Sequence, residues 1–93
     1  MKQATEECLR LAGKDLEAAM ILLDKEHLSN IVLFHCQQCI EKALKALLEE
    51  AGKVIPKIHN IYKLHAIIKE QTKYGHILLE DEIDIIDSIY YRY

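Results

Sequence analysis

The stretch Ser29-Asn30-Ile31-Val32-Leu33-Phe34-His35-Cys36-Gln37-Gln38-Cys39-Ile40-Glu41-Lys42-Ala43-Leu44-Lys45-Ala46-Leu47-Leu48-Glu49-Glu50-Ala51-Gly52 decides the fold. Cys36, Ile40, Ala43, Leu44 and Leu47 recur at three- and four-residue spacing, which is the period of one helix face. Ser29 or Asn30 can cap the start, and Gly52 can adopt the left-handed geometry that stops a helix. A helix is therefore expected from there to about Ala51. Pro56 marks 53–59 as a loop, because proline disfavours helical geometry at the residue before it.

The same period extends to both sides. Residues 5–25 carry Cys8, Ala12, Leu16, Ala19 and Leu23 on one face and open on Thr5-Glu6-Glu7, a hydroxyl cap followed by early carboxylates. Gly13 inside this segment costs helix propensity and suggests the close approach of a neighbouring helix. The short connection at Glu26-His27-Leu28 makes the first two helices antiparallel neighbours. A third helix is expected from about Asn60, with Ile61, Leu64, Ile67 and Ile68 at helical spacing. After a break at 72–76, containing Gly75, a last helix is expected from about Leu79. Ile83, Ile86 and Tyr90 would form its inner stripe, behind Glu80, Asp81 and Glu82. The reading is an all-α, up-and-down four-helix bundle filling one domain, residues 1–93.

Composition agrees. Of 93 residues, 51% are hydrophobic, and only three glycines and one proline punctuate the chain. That excludes an all-β fold, a TIM barrel and a two-domain enzyme. A domain this small buries about 60–65% of its unfolded surface, so subunit association is expected. The formal charge of −3 argues against a general phosphate-backbone binder, which carries a basic face. The longest uncharged stretch, 28–40, falls short of the roughly 20 apolar residues of a membrane span. The N-terminus has no apolar signal region, so the cytoplasm is the expected compartment and no membrane is involved. Cys8, Cys36 and Cys39 are an odd count, read as free buried thiols.

Chemistry concentrates on the second helix and the loop behind it. Residues 41–73 hold seven lysines against four glutamates, a local excess that could meet phosphates or could be a solvated face. Gln38, Glu41, Lys42 and Lys45 are spaced i, i+3, i+4, i+7 and share one ridge, with Phe34 on the same side. The ridge could orient a ligand, or it could carry ordinary pairs such as Glu41 with Lys45. Cys36-x-x-Cys39 after His35 has no second ligand pair at zinc spacing, so no metal is expected. No G-x-S-x-G, phosphate-binding glycine loop or H-E-x-x-H occurs, and no catalytic residue is assigned.

The run Phe34 to Leu48, then Gly52, then Pro56-Lys57-Ile58-His59-Asn60-Ile61 through Leu64, resembles the HEPN domain family, the higher eukaryote and prokaryote nucleotide-binding domains. Asp15-Leu16-Glu17-Ala18-Ala19 is similar to the family's first helix, and Tyr91-Arg92-Tyr93 to the start of its Arg-Tyr-Pro segment. The resemblance implies a helical bundle that commonly homodimerises. Small prokaryotic members pair with a minimal nucleotidyltransferase, in two-component or toxin–antitoxin systems, as its nucleotide- or substrate-binding partner. Another branch consists of metal-independent ribonucleases with Arg followed four to six residues later by His. This sequence lacks that pair: Arg10 has no such histidine, and Arg92 is followed by Tyr93 alone. Because family members usually continue past Arg-Tyr-Pro, the chain is expected to be a minimal member or one truncated at its C-terminus.

Carried over residue by residue, the ligand-binding candidates are Gln38, Glu41, Lys42, Lys45, His59 and Arg92. Lys42, Lys45 and Arg92 would contact anions, arginine being the better bidentate phosphate partner. Gln38 and Glu41 would meet a base, a ribose or a neighbouring helix. His59 could equally bond the loop backbone or the second helix. The resulting expectation is a non-catalytic nucleotide- or substrate-binding homodimer without cofactor, with a nucleotide or RNA as ligand. The alternatives are a ribonuclease toxin completed by a histidine beyond residue 93, and a purely structural dimerisation bundle.

Overall fold

The computed structural model describes residues 1–76, 81 and 82. Among them lie α1 (Gln3–Leu22), a 3-10 turn (Glu26–Leu28), α2 (Ser29–Glu50) and α3 (Ile61–Gln71), with no strand. The architecture is an all-α helical bundle. The helix expected from Leu79 falls mainly on 77–80 and 83–93, outside the described residues; Asp81 and Glu82 are helical.

α2 is the middle helix, packed by α1 on one flank and α3 on the other. Toward α3, Leu44 and Leu48 form the hydrophobic core with Ile61, Leu64 and Ile68, each no more than 4% exposed. Ile40, Leu47, Ile55, Ile58, Ile67 and Tyr74 pack around that cluster. Burying a leucine or isoleucine side chain completely contributes roughly 1.5–3 kcal/mol, so this flank supplies most of the apolar driving force. The α1 flank uses small residues instead. Ala12 and Ala19 are buried on α1, and Ala46, on the α2 face of His35, Cys39 and Lys42, is 1% exposed.

The terminations of α2 and α3 follow the sequence. Gly52 takes φ +74°, its N–H donates to the Glu49 carbonyl, and the Lys53 N–H donates to the Leu48 carbonyl, both at 3.0 Å. These two bonds satisfy carbonyls that the end of a helix would otherwise leave open. Asn60 caps α3, its Oδ1 accepting the Lys63 N–H at 2.9 Å.

Four local expectations are corrected. The 3-10 turn runs straight into α2, so Ser29 already has helical dihedrals (φ −58°, ψ −34°) and neither it nor Asn30 caps. Thr5 is likewise inside α1, and its buried hydroxyl donates to Glu50 Oε1 at 3.0 Å instead of capping. The Lys2 N–H donates to the same oxygen at 3.0 Å, which latches the start of α1 to the end of α2. The inner face of α1 is Thr5, Ala12, Asp15 and Ala19, while Leu16 and Leu23 are 48% and 71% exposed. Small residues allow close approach to α2, and Asp15 has its partners there. Finally, Gly13 accommodates no neighbour among the described residues, since a Cβ there would meet none of them within 4 Å. Among the described residues no helix is long and apolar enough to cross a membrane.

Candidate functional site

Two carboxylates organise the polar face of α2 from opposite flanks. On the α1 side, Asp15 accepts a hydrogen bond from His35 Nδ1 at 2.9 Å and a second, on its other oxygen, from Lys42 Nζ. Each partner lies on α2, seven residues apart, so His35 and Lys42 share the face that α1 covers. The Asp15 side chain is 12% exposed, against 27% for His35 and 34% for Lys42. Burial pushes the Asp15 carboxyl up, but hydrogen bonds from Lys42 and His35, together with their charge, outweigh it and hold the group below the usual carboxylate range.

On the α3 side, Glu41 Oε1 accepts His59 Nδ1 at 2.5 Å and Lys45 Nζ at 3.3 Å. The Glu41 side chain is only 4% exposed and Lys45 is 19% exposed, whereas His59 stands 69% in solvent. Lys45 comes from the next turn of α2, and His59 from the loop ahead of α3. That loop is directed back over α2 by the turn at Gly52. In both clusters the carboxylate fixes the imidazole through Nδ1, so Nε2 is the ring atom left to meet a ligand.

The four candidates on α2 share one stretch of its surface, but their partners divide between its two flanks. Glu41 turns into the α3 flank, Lys42 reaches across to α1, Lys45 bends toward Glu41, and His59 joins them from outside. Gln38 lies half-buried on α2 between the two clusters. Arg92 falls outside the described residues. Glu41 and Lys42 do enter intrabundle ion pairs, each with a different partner. The structure adds Asp15 and His35 to the set. Asp15 carried a readable sign: a carboxylate at i+3 from Ala12 and i−4 from Ala19, in the middle of an apolar stripe, needs a buried cation. Gln37 is a further addition. It is 2% exposed, and neither its Oε1 nor its Nε2 has a partner among the described residues. It sits one turn before Glu41 on the same flank.

Cys36 and Cys39 are half-buried on α2. Burial, with Asp15 and Cys36 nearby, pushes the Cys39 thiol up, so it stays protonated at neutral pH. Among the described residues no group of three or more His, Cys, Asp or Glu could hold a metal ion. Two surface cavities of about 560 and 500 Å³ lie at the other end of α3, one beside Glu50, Lys53, Glu70 and Lys73, the other beside Val54, Pro56 and Ile67. Neither reaches the carboxylate clusters.

The family model of the HEPN domain matches residues 5–93. The chain belongs to the HEPN domain family. No match was found among curated proteins or solved structures. Family membership supports a nucleotide- or RNA-related module in general. In this HEPN domain the motif residues Glu41 and Lys42 anchor the helix on its two flanks, and His59 of the Pro-x-x-His loop closes on Glu41.

Proposed function

We propose that this HEPN domain is a non-catalytic nucleotide- or substrate-binding and dimerisation module of the cytoplasm. It acts with a minimal nucleotidyltransferase in a two-component or toxin–antitoxin system. The observation that carries the reading is the pair of carboxylate–imidazole–ammonium clusters on either side of Gln38. Each holds a lysine in a fixed position, so a ligand meets ordered cations and loses less side-chain entropy on binding. With its imidazole neutral each cluster sums to zero charge; one added proton leaves it at +1 and attractive to phosphate. Lys42, Lys45 and Arg92 are assigned to phosphate, Gln38 and Glu41 to base or ribose, and His59 to the ligand's edge.

Calorimetric titration of the purified chain, alone and with its nucleotidyltransferase, tests this with ATP, GTP and a short RNA. The expected result is micromolar binding, weakened at least tenfold by Lys42→Ala and by Lys45→Ala. No heat from any ligand in either preparation would reduce the protein to a structural dimerisation bundle. A second reading, a metal-independent ribonuclease, draws on the Glu41–His59 and Asp15–His35 pairs, since a carboxylate-oriented imidazole can serve in acid–base chemistry. RNA cleavage in the presence of a chelator, lost in His59→Ala or His35→Ala, would replace the binding reading with that one.

A further inference from the structure

The polar row of α2 begins with a residue that is not polar. Phe34, Gln38, Glu41 and Lys45 follow one another at steps of four, three and four, so they stand on one line of the helix surface. Phe34, the chain's only phenylalanine, is 44% exposed at the head of that line. Its ring is braced. It meets the His35 imidazole at 5.3 Å between centroids and 70° between planes, an edge-to-face contact. The same imidazole is tied through Nδ1 to Asp15 at 2.9 Å. An exposed aromatic ring set at a fixed angle beside amide and ammonium groups is a surface on which a flat, polar-edged ligand can stack.

We propose that Phe34 is the stacking platform for an unpaired nucleobase, and that the nucleotide lies along α2 with its phosphate toward Lys42 and Lys45. This placement rests on the ligand part of the function proposed above and not on dimerisation. The order of groups along the helix sets the direction. Gln38 is one turn beyond Phe34, about 6 Å along the axis, and Lys42 is about 12 Å beyond it. Side chains on a helix lean toward its N-terminus, and Lys45 does so, reaching back one turn to Glu41. Aromatic face, amide and ammonium thus follow in the order base, base edge or ribose, and phosphate. The reverse direction offers no such match, because residues 28–40 contain no lysine or arginine. Stacking uses the face that every base has and tolerates base identity, but it requires a base whose face is uncovered. A duplex, whose bases cover one another, does not meet that requirement. A free nucleotide and a single strand of RNA both do, and they share this chemistry.

The chain has no tryptophan, so Phe34→Trp keeps an aromatic platform and supplies a fluorescence reporter of it. Added to this variant of the full chain, ATP or a short single-stranded RNA is expected to quench the emission. Ribose 5-phosphate, which has no base, is not, nor is the same RNA as a duplex. Calorimetry gives a second readout. Phe34→Leu keeps apolar bulk without a π face, and is expected to weaken ATP or single-strand binding roughly 5- to 100-fold, the range for one base–aromatic stack, with helical circular dichroism intact. Quenching by ATP identifies a free nucleotide as the source, and quenching by the single strand alone identifies RNA; either supports the platform. Nucleotide binding that is indifferent to Phe34→Leu and leaves Phe34→Trp unquenched overturns the platform and leaves the ligand reading standing. Absence of binding by the wild-type chain to both ATP and RNA overturns the two together. Loss of self-association in Phe34→Leu, with nucleotide affinity unchanged, gives the ring to a protein contact and likewise overturns the platform.

Discussion

Toward α3, α2 presents Leu44 and Leu48 to a set of isoleucines and a leucine; toward α1, it presents Ala46 and a cation to alanines and a carboxylate. The first contact is held by apolar area and sits where little polar chemistry is possible. The second brings backbones close and fixes polar groups, Asp15, His35 and Lys42, at the edge of solvent. Within one short bundle, stability and chemistry are thus concentrated on opposite flanks of the same helix. Glu41 is the exception, a buried carboxylate on the apolar flank, and it stays there because Lys45 and His59 both reach it.

The contrast can be broken by substitutions of opposite kinds. Truncating Leu48, which is fully buried, to alanine is expected to cost about 2–5 kcal/mol in urea denaturation, the range for a leucine-to-alanine cavity. A loss below about 1 kcal/mol would mean that α3 does not depend on this contact. Enlarging Ala46 to leucine attacks the other flank, which has no room to spare at 1% exposure. Overpacking there should cost about 1–3 kcal/mol by the same measurement, and a neutral outcome would show α1 and α2 to be loosely apposed.

Asp15→Asn is the mildest and most informative change. Lys42 and His35 are partly exposed and regain water, so the loss at pH 7 should be about 1–2 kcal/mol. Its sign with pH is fixed. Because Lys42 and His35 hold the folded carboxyl below its unfolded value of about 3.9, the stabilisation is complete above that pH. It disappears as pH falls through the lower folded value. Thermal unfolding of the two proteins should therefore converge below about pH 4, and a gap that persists at lower pH would assign Asp15 a packing role only.

Most of the fold was legible because it rests on local signals. The three-to-four period of α2, the stop at Gly52 and the apolar period of α3 from about Asn60 each act within a few residues. The inner face of α1 was misread because Leu16 and Leu23 outrank Thr5 and Asp15 on any hydrophobicity scale. Thr5 and Asp15 are nonetheless the inward residues, since their partners, Glu50 and Lys42, are 45 and 27 residues away. For the same reason Glu41 and Lys42 were visible as chemically interesting while the division of labour between them was not. No window along the chain contains both Asp15 and Lys42.

The loop from Gly52 to Asn60 has a thermodynamic consequence. Glu41 and His59 are 18 residues apart, and their bond closes only when α3 is seated on Leu44 and Leu48. Any molecule that binds across His59 and α2 is therefore linked to the docking of α3, and raises its stability by RT ln(1 + [L]/Kd), about 2.7 kcal/mol at a hundredfold excess over Kd. Occupancy at the polar face would then be read out as slower hydrogen exchange in a helix that the ligand never touches.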